Sequence, residues 1–496
     1  MDLICDGFII PQRWILGIMG FFAIMNAYMF RVVLSVAITA MVNPSNHNKT
    51  GITGEVCPDP GINYTAPRVT FLINDKYNWN EETQGIILSS FYWGYVVTHI
   101  PGAILSEYFG GKHSLGLGIL STAIFTLLTP FVVRSGNWPW LVVFRVLVGI
   151  GEGFTFPALT ALLSSWVPSS ERSRIATLSY SGVQIGTVLG NSLSGLFISS
   201  TNTWASPFYV FGGIGIIWFV IYSLICYSSP ESHPFISDKE KAFLEKEIEK
   251  DSKKNKKIPW KHLLTSWPLW ALILAQIGHD WGLFAMVTDL PKYMKDVLKF
   301  NVKQSGLWSS LPYIAMWIVS ITSGWLCDWL INRGIIGINF ARKFFSTLGA
   351  LGPGIFLVMA SYAGCDRLLA VAYFTIGMGT MGFYYCGIRV NALDLSPNYA
   401  GIVMAFVNGV GAVSGMITPY LIGALTTNQT ISEWRIVFWL TLAVLLITDV
   451  TFIFFGSGKV QAWDSKIEKN VVKVDPTSKA DFYNNCEEIQ TKTEKL

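Results

Sequence analysis

Apolar stretches about 20 residues long recur along this chain, and that length is what a helix needs to cross the hydrocarbon core of a bilayer. They begin at Trp14 and continue with few breaks to Gly456. Asp, Glu, Lys and Arg make up 14% of the 496 residues, against about 25% in ordinary soluble domains. The sequence therefore excludes a water-soluble enzyme.

The pattern predicts an all-α membrane protein with twelve transmembrane helices in two pseudo-symmetric six-helix bundles. The predicted spans cover residues 14–41, 84–108, 113–133, 138–164, 174–199, 206–227, 266–290, 305–330, 342–363, 367–389, 400–426 and 433–456. A charged connector at 228–265, predicted to hold an amphipathic surface helix, separates the bundles at 14–227 and 266–456. The segments 1–13 and 457–496 are predicted to be a cytoplasmic N-terminus and a cytoplasmic tail.

A weak internal repeat supports two related halves. GAILSEYFGGK follows the second predicted span, and GWLCDWLINRG closes the eighth. In both segments a Gly permits close helix approach, while an acidic and a basic residue can pair across a gate. The predicted gate residues are Glu107, Lys112, Asp328 and Arg333.

Three glycosylation sequons predict the sidedness of the chain. Their acceptors, Asn48, Asn63 and Asn428, lie in the loops after the first and eleventh predicted spans, which an even number of spans places on one side. Loops on the other side carry the positive excess typical of the cytoplasm. We therefore expect the loop at 43–82 to be extracellular or lumenal and both termini to be cytoplasmic.

Cys57 and Cys365 are the two of seven cysteines that this topology places on the oxidising side. They form either a disulfide that tethers the two halves or two free thiols, since sequence does not give the distance between their Cα atoms. The other cysteines show no CxxC pairing and no nearby His at ligand spacing, so no metal site is indicated.

Several other function classes are disfavoured by the sequence. The net charge of +4 is spread through loops and tails, so nucleic acid is not an expected partner. No GxxxxGK[ST] motif is present, so ATP is not the expected energy source, and no HExxH or nucleophile motif lies in a span. No cofactor is expected.

Long motifs in both halves resemble the major facilitator superfamily and, within it, the anion:cation symporters of solute carrier family 17. In the first half these are YMFRVVLSVAI, SSFYWGYVVTHIPGAILSEYFGGK and FRVLVGIGEGFTFPALTALLSSWVPSSERSR. In the second half LPKYMKDVLKFNVKQSGLWSSLPY and NALDLSPNYAGI resemble sialin. The resemblance implies the major facilitator fold and anion transport, as in sialin, the vesicular glutamate transporters and the type I sodium/phosphate cotransporters.

The chain departs from the family pattern at positions that bear on substrate and coupling. Leu88 and His279 stand where vesicular glutamate carriers have His and Arg, which argues against glutamate loading. Val148 stands where sialin has a carboxylate, Val32 where the family usually has Asn, and Ala392 where it has His.

Charged residues inside the spans are the candidate site. Arg31 follows Tyr28 by three residues, so the two share a helical face, and its planar guanidinium fits carboxylate or phosphate. The alternative is an Arg that reaches back to the membrane interface. Arg145 and Glu152 are two turns apart on one face, about 10 Å along the axis. We predict that Arg145 binds the anion and Glu152 exchanges a proton, with a fixed structural network as the alternative.

Three further residues have simpler expectations. The resemblance places His279 at the cavity, although a packing role is equally expected. His99, ahead of Pro101, is predicted to lie at a helix end. Arg389 is predicted to reach the cytoplasmic interface or to pair with Asp394, with a role at a gate as the alternative.

The sequence therefore predicts a secondary active transporter that moves an organic anion, such as an acidic sugar or a carboxylate, with protons by alternating access. Sodium-dependent phosphate cotransport is the alternative, and a non-transporting receptor or scaffold is the alternative of another class. The expected partners are a small anion and the lipid bilayer, with a monomeric chain. The sequence leaves open a lysosomal, vesicular or plasma membrane.

Overall fold

The computed structural model describes residues 11–43, 57–58, 76–234, 236–252, 259–396 and 399–464. In these ranges the regular structure is helical, apart from one isolated bridge between Val42 and Tyr77. The prediction of an all-α protein is confirmed.

The α-helices fall into two sets separated by the connector. The first half contains α1 (Gln12–Met41), α2 (Glu81–Phe109), α3 (Gly111–Gly153), α4 (Thr155–Trp166), α5 (Ser169–Tyr180), α6 (Gly182–Thr201) and α7 (Ser206–Ile225). The connector contains α8 (Asp238–Ser252) and α9 (Trp260–Leu264). The second half contains α10 (Trp267–Lys292), α11 (Val302–Trp308), α12 (Leu311–Asn332), α13 (Ile338–Tyr362), α14 (Arg367–Met381), α15 (Ile388–Leu395), α16 (Ala400–Gly411), α17 (Ser414–Leu425) and α18 (Ile431–Phe455).

Nine helical stretches in the described ranges are long and apolar enough to cross a membrane. One of them, Gly111–Trp166, holds both the third and the fourth predicted spans, which join at a kink where Asn137 has a φ of 62°. The second predicted span is α2, and the fifth is α5 with α6. These segments are helical but carry more polar residues, so length and composition alone do not identify them as spans.

Helix α2 corrects one expectation from the sequence. It continues through Pro101 to Phe109, so His99 lies inside the helix rather than at its end. The His99 side chain is buried, and its ring lies 5.1 Å from the ring of Tyr95 one turn earlier. Proline is tolerated inside transmembrane helices because neighbouring groups satisfy the freed backbone carbonyl.

The two halves meet at the end of the molecule where α1 ends and α2 begins, and we call this the loop end. The opposite end carries α8 and α9, and we call it the connector end. At the loop end Glu81 forms an ion pair with Lys292, and the Gln429 side-chain amide donates to Glu81 Oε2 at 3.0 Å. The Lys292 side chain is 3% exposed. A buried charge pair therefore joins the halves at this end.

Close backbone packing accompanies this pair. A Cβ on Gly85 would lie 2.7 Å from the carbonyl oxygen of Pro419, so α2 and α17 touch through their backbones. A Cβ on Gly195 would lie 2.9 Å from the carbonyl oxygen of Val302. Small residues permit such approaches between membrane helices, and they close the loop end.

A disulfide also joins the halves at the loop end. Cys57 is bonded to Cys365, which follows α13, and their Cα atoms are 5.3 Å apart. The bond spans 308 residues of sequence. Of the two alternatives that the sequence left open, a disulfide or two free thiols, the structure contains the disulfide.

The connector is attached to the first half. The Arg13 guanidinium donates to Glu171 Oε2 at 2.7 Å and to Glu240 Oε1 at 2.8 Å, and so joins the start of α1 to α5 and α8. Glu240 Oε2 also accepts from the backbone N–H of Gln12 at 3.0 Å. The predicted connector helix is present as α8, and it is anchored by these contacts.

The disulfide generates the first prediction. Mass spectrometry of non-reduced peptides should recover Cys57 and Cys365 as one linked species. The thiols of Cys226, Cys327 and Cys386 are buried and should alkylate only after unfolding. Alkylation of Cys57 and Cys365 in the native protein without reductant would contradict the tether.

The Glu81–Lys292 pair generates the second prediction. Glu81→Gln leaves a buried ammonium without its carboxylate, a loss that typically costs about 3 to 5 kcal/mol, so the melting temperature in detergent should fall. The exchange Glu81→Lys with Lys292→Glu should recover part of the loss, because it restores the pair but places a carboxylate at 292 near Asp289 and a cation in the first turn of α2. The matched control is Glu82→Gln, because Glu82 is exposed. An exchanged protein no more stable than either single variant would refute the role of the pair.

Candidate functional site

Arg31 lies at the centre of a buried aromatic cluster in the first half. Its side chain is 3% exposed. The guanidinium carbon lies 4.5 Å from the ring centroid of Tyr28, on the same face of α1. Rings of α2 surround it from the other side, with centroids 4.8 Å away at Phe91 and 5.0 Å away at Tyr95. A desolvated guanidinium on aromatic faces gains cation–π attraction.

The carboxylate that faces Arg31 belongs to Glu152. Arg31 Nη2 donates to Glu152 Oε1, and the Glu152 side chain is fully buried. Two polar atoms of this pair, Arg31 Nε and Glu152 Oε2, have no hydrogen-bond partner. The ion pair is therefore buried and only partly satisfied.

Arg145 lies beside this pair without a carboxylate of its own. Its Nη1 and Nη2 atoms donate weakly to the carbonyl oxygens of Phe30 and Arg31, at 3.5 and 3.4 Å, and its Nε has no partner. Within the described ranges, no carboxylate lies at ion-pair distance from Arg145. The structure thus brings Tyr28, Arg31, Arg145 and Glu152 together.

A glycine on α3 permits this arrangement. A Cβ on Gly149 would lie 2.0 Å from the carbonyl oxygen of Phe91, so α3 packs directly on the backbone of α2. Val148, where sialin has a carboxylate, is instead part of an apolar cluster with Phe91, Tyr92 and Tyr95. Glu152 is therefore the acid that α3 contributes to this cluster.

His279 lies in a separate network in the second half. Its ring stacks on Tyr384, with centroids 3.5 Å apart, and its Nδ1 has no hydrogen-bond partner. The Tyr384 hydroxyl donates to Gln276 Oε1 at 2.5 Å, and the Gln276 amide donates to Asp280 Oδ1 at 2.9 Å. These contacts position the imidazole by packing, and a direct contact with substrate remains a prediction.

The two networks approach each other where the halves meet. The ring of Tyr92 lies 4.6 Å from that of Phe284, and the Gln184 amide donates to the Tyr385 hydroxyl at 2.6 Å. Sequence reasoning missed Gln184, Tyr384 and Tyr385, because an aromatic or amide side chain in a span carries no charge to mark it. It also missed two buried acids, Asp289 on α10 and Asp449 on α18, whose charges within apolar spans were a readable signal.

Of the alternatives expected for Arg389, the pairing with Asp394 is wrong. Asp394 Oδ2 accepts from Arg342 Nε at 2.6 Å, whereas Arg389 Nη1 donates to Asn408 Oδ1 at 3.3 Å. Five residues along a helix correspond to a rotation of about 140°, so Arg389 and Asp394 point to different neighbours.

The predicted gate residues make other contacts. Lys112 Nζ lies 4.1 Å from the ring centroid of Tyr227, and the Arg333 guanidinium lies 4.6 Å from that of Trp329. Asp328 is exposed, and the side chain of Glu107 lies outside the described residues. Among the described side chains, Lys112, Asp328 and Arg333 form no ion pair. Their role at a gate stays a prediction.

Of the three sequon asparagines, Asn428 lies within the described residues. Asn428 is exposed at the loop end, where its side-chain amide donates to Glu433 Oε1 at 2.8 Å. Asn48 and Asn63 lie outside the described residues. Glycosylation at the three positions stays a prediction.

Comparison with known proteins shows the family. Residues 16–419 match the Major Facilitator Superfamily. Sialin of Homo sapiens is 40% identical over 91% of this chain and 90% of its own length. A putative inorganic phosphate cotransporter of Drosophila ananassae is 38% identical over 91% of this chain and 94% of its own.

The fold also matches solved structures. A D-xylose-proton symporter superimposes with a TM-score of 0.67 at 13% identity, over 91% of this chain and 99% of its own. At that identity the likeness shows the fold alone.

The protein is a multi-pass membrane protein and not an enzyme. It belongs to the major facilitator superfamily and, within it, to solute carrier family 17.

Proposed function

We propose that the chain is a secondary transporter that carries a small organic anion together with a proton. The observation that carries this proposal is the buried Arg145, which lacks a carboxylate beside the Arg31–Glu152 pair. Two guanidinium groups and one carboxylate leave one positive charge in a region removed from water. Uncompensated charge in such a place is costly, and a bound anion compensates it.

The chemistry of the site fits a carboxylate substrate. A guanidinium offers parallel donors that match a carboxylate, and the free Nε of Arg145 is available for one of them. The aromatic rings of Tyr28, Phe91 and Tyr95 exclude water from the charged groups. The 40% identity to sialin supports an acidic organic substrate.

Glu152 supplies the coupling in this proposal. While Glu152 is ionised it holds Arg31, and only Arg145 can bind an anion. When Glu152 takes a proton, its attraction for Arg31 falls and a second guanidinium becomes available. Proton binding and anion binding then strengthen each other, and this coupling is reciprocal.

Alternating access completes the proposal. In this proposal the anion reaches the site from the connector end, because the contacts at the loop end close the other side. The connector end faces the cytoplasm if the positive loops follow the usual charge rule. For the opposite conformation, the Glu81–Lys292 pair has to open. We expect the chain to act as a monomer.

Sodium-dependent phosphate transport is the second candidate, because the Drosophila ananassae relative is described as a phosphate cotransporter. Uptake into proteoliposomes with proton and sodium gradients imposed separately distinguishes the two. Uptake of phosphate that follows sodium alone would overturn the first proposal.

The third prediction concerns Arg145. Arg145→Lys should weaken anion binding about tenfold or more, because an ammonium does not provide the paired donors of a guanidinium. Arg145→Gln should weaken it further. The control is Arg174→Gln, since Arg174 is exposed. Wild-type affinity in Arg145→Gln would remove this residue from the site.

The fourth prediction concerns Glu152. Glu152→Gln keeps the shape of the side chain and fixes a neutral state. Proton-driven accumulation in proteoliposomes should therefore fail, whereas exchange of internal for external anion should continue. Accumulation at the wild-type level would refute the coupling role. Loss of both activities together with loss of folding would show a structural role instead.

A further inference from the structure

Arg389 lies where the tenth span is broken. Helix α14 ends at Met381, the segment Gly382–Tyr385 forms a single 3-10 turn, and α15 begins at Ile388. Gly387, in the gap, has φ and ψ of −87° and −92°. Interrupted helices within the membrane are typical of transporter binding sites, because the half-helix ends and the unwound backbone at the break can face substrate.

The residues in direct contact with the Arg389 guanidinium are neutral, and the nearby Asp280 carboxylate interacts with it only at longer range. The guanidinium donates to Asn408 Oδ1 at 3.3 Å, and its carbon lies 5.9 Å from the ring centroid of Tyr180 in the first half. In the described part of the chain, no carboxylate lies at ion-pair distance from it. Asp394 is bound by Arg342, and Asp280 accepts from Gln276. Arg389 is therefore a cation at the boundary between the halves without a bound acid.

A continuous row of rings connects Arg389 with Arg31. The ring of Tyr28, which contacts Arg31, lies 6.4 Å from that of Phe156. Phe156 in turn stacks on Tyr180 at 5.9 Å, and Tyr180 contacts Arg389. The row thus has a guanidinium at each end, one in each half of the protein.

The charges of the region match an anion with two acidic groups. Arg31, Arg145 and Arg389 carry three positive charges, and Glu152 and Asp280 carry two negative ones when ionised. Protonation of Glu152, as in the proposed coupling, leaves an excess of two positive charges. A dianion neutralises that excess, whereas a monoanion leaves one cation uncompensated.

We propose that Arg389 is a second anion-binding residue and that the transported substrate is a small dicarboxylate. One carboxylate binds Arg145 and Arg31 in the first half, and the other carboxylate binds Arg389 in the second half, with the rings of Tyr28 and Tyr180 beside the two ends of the substrate. The substrate thereby contacts both halves. This inference rests on the proposed function, to which it adds the class of substrate.

The test compares dicarboxylates with their monoamides, which have nearly the same shape and one charge fewer. The purified full-length protein is titrated with succinate, glutarate and adipate, and with the monoamide of each, and the shift in melting temperature gives an apparent Kd. In the wild type, at least one dicarboxylate should bind about tenfold more tightly than its monoamide, as expected for one additional charge-assisted contact.

Variants separate this inference from the proposed function. Arg389→Gln should weaken the dicarboxylate to the level of its monoamide and leave the monoamide unchanged, while Arg389→Lys should retain part of the preference. Arg145→Gln should weaken both ligands, and the exposed control Arg174→Gln should change neither. The inference would be overturned if the wild type bound every dicarboxylate no more tightly than its monoamide, or if Arg389→Gln weakened the binding of both ligands equally. An Arg145→Gln variant that binds both normally would instead overturn the proposed function.

Discussion

The buried ion pair between Arg31 and Glu152 is the interaction on which the rest of the first half depends. Removing two charges from water costs several kcal/mol for each, and only close pairing offsets that cost. The pair fixes α1 against α3, while Gly149 allows α2 to close over both with its aromatic rings. Arg145 is left beside the pair with weak backbone contacts, and this asymmetry of charge makes the cluster an anion site in our account.

Closure of the loop end determines the side from which an anion can reach the Arg31–Arg145–Glu152 cluster. Glu81, Lys292 and Gln429 form polar contacts across the halves, and α2 and α17 meet through Gly85. The disulfide between Cys57 and Cys365 ties the same end covalently. When the halves rock, the noncovalent contacts at this end therefore have to break while the disulfide stays intact. Binding of substrate at the central site would shift the equilibrium between the two conformations.

The length of the apolar stretches was sufficient to predict most of the helical spans, because a bilayer sets that length, whereas α2 and α5 with α6 do not meet that criterion by length and composition. It was not sufficient to predict partners between helices. The spacing of Arg145 and Glu152 placed both on one face, yet the cation that holds Glu152 comes from α1. Asp394 is bound by Arg342 rather than Arg389, since five residues along a helix turn these two side chains toward different neighbours. The packing of the helices decides which side chains pair, and the pattern of residues along the sequence does not reveal that packing.

The most direct test of the account is the number of protons taken up when an anion binds. In weakly buffered detergent solution, at a pH where Glu152 is ionised in the empty protein, a pH indicator should show uptake approaching one proton per bound anion. The Glu152→Gln variant should bind the anion with no proton uptake. Anion binding by the wild type without any proton uptake across the accessible pH range would contradict the proposed coupling of Arg31, Glu152 and substrate.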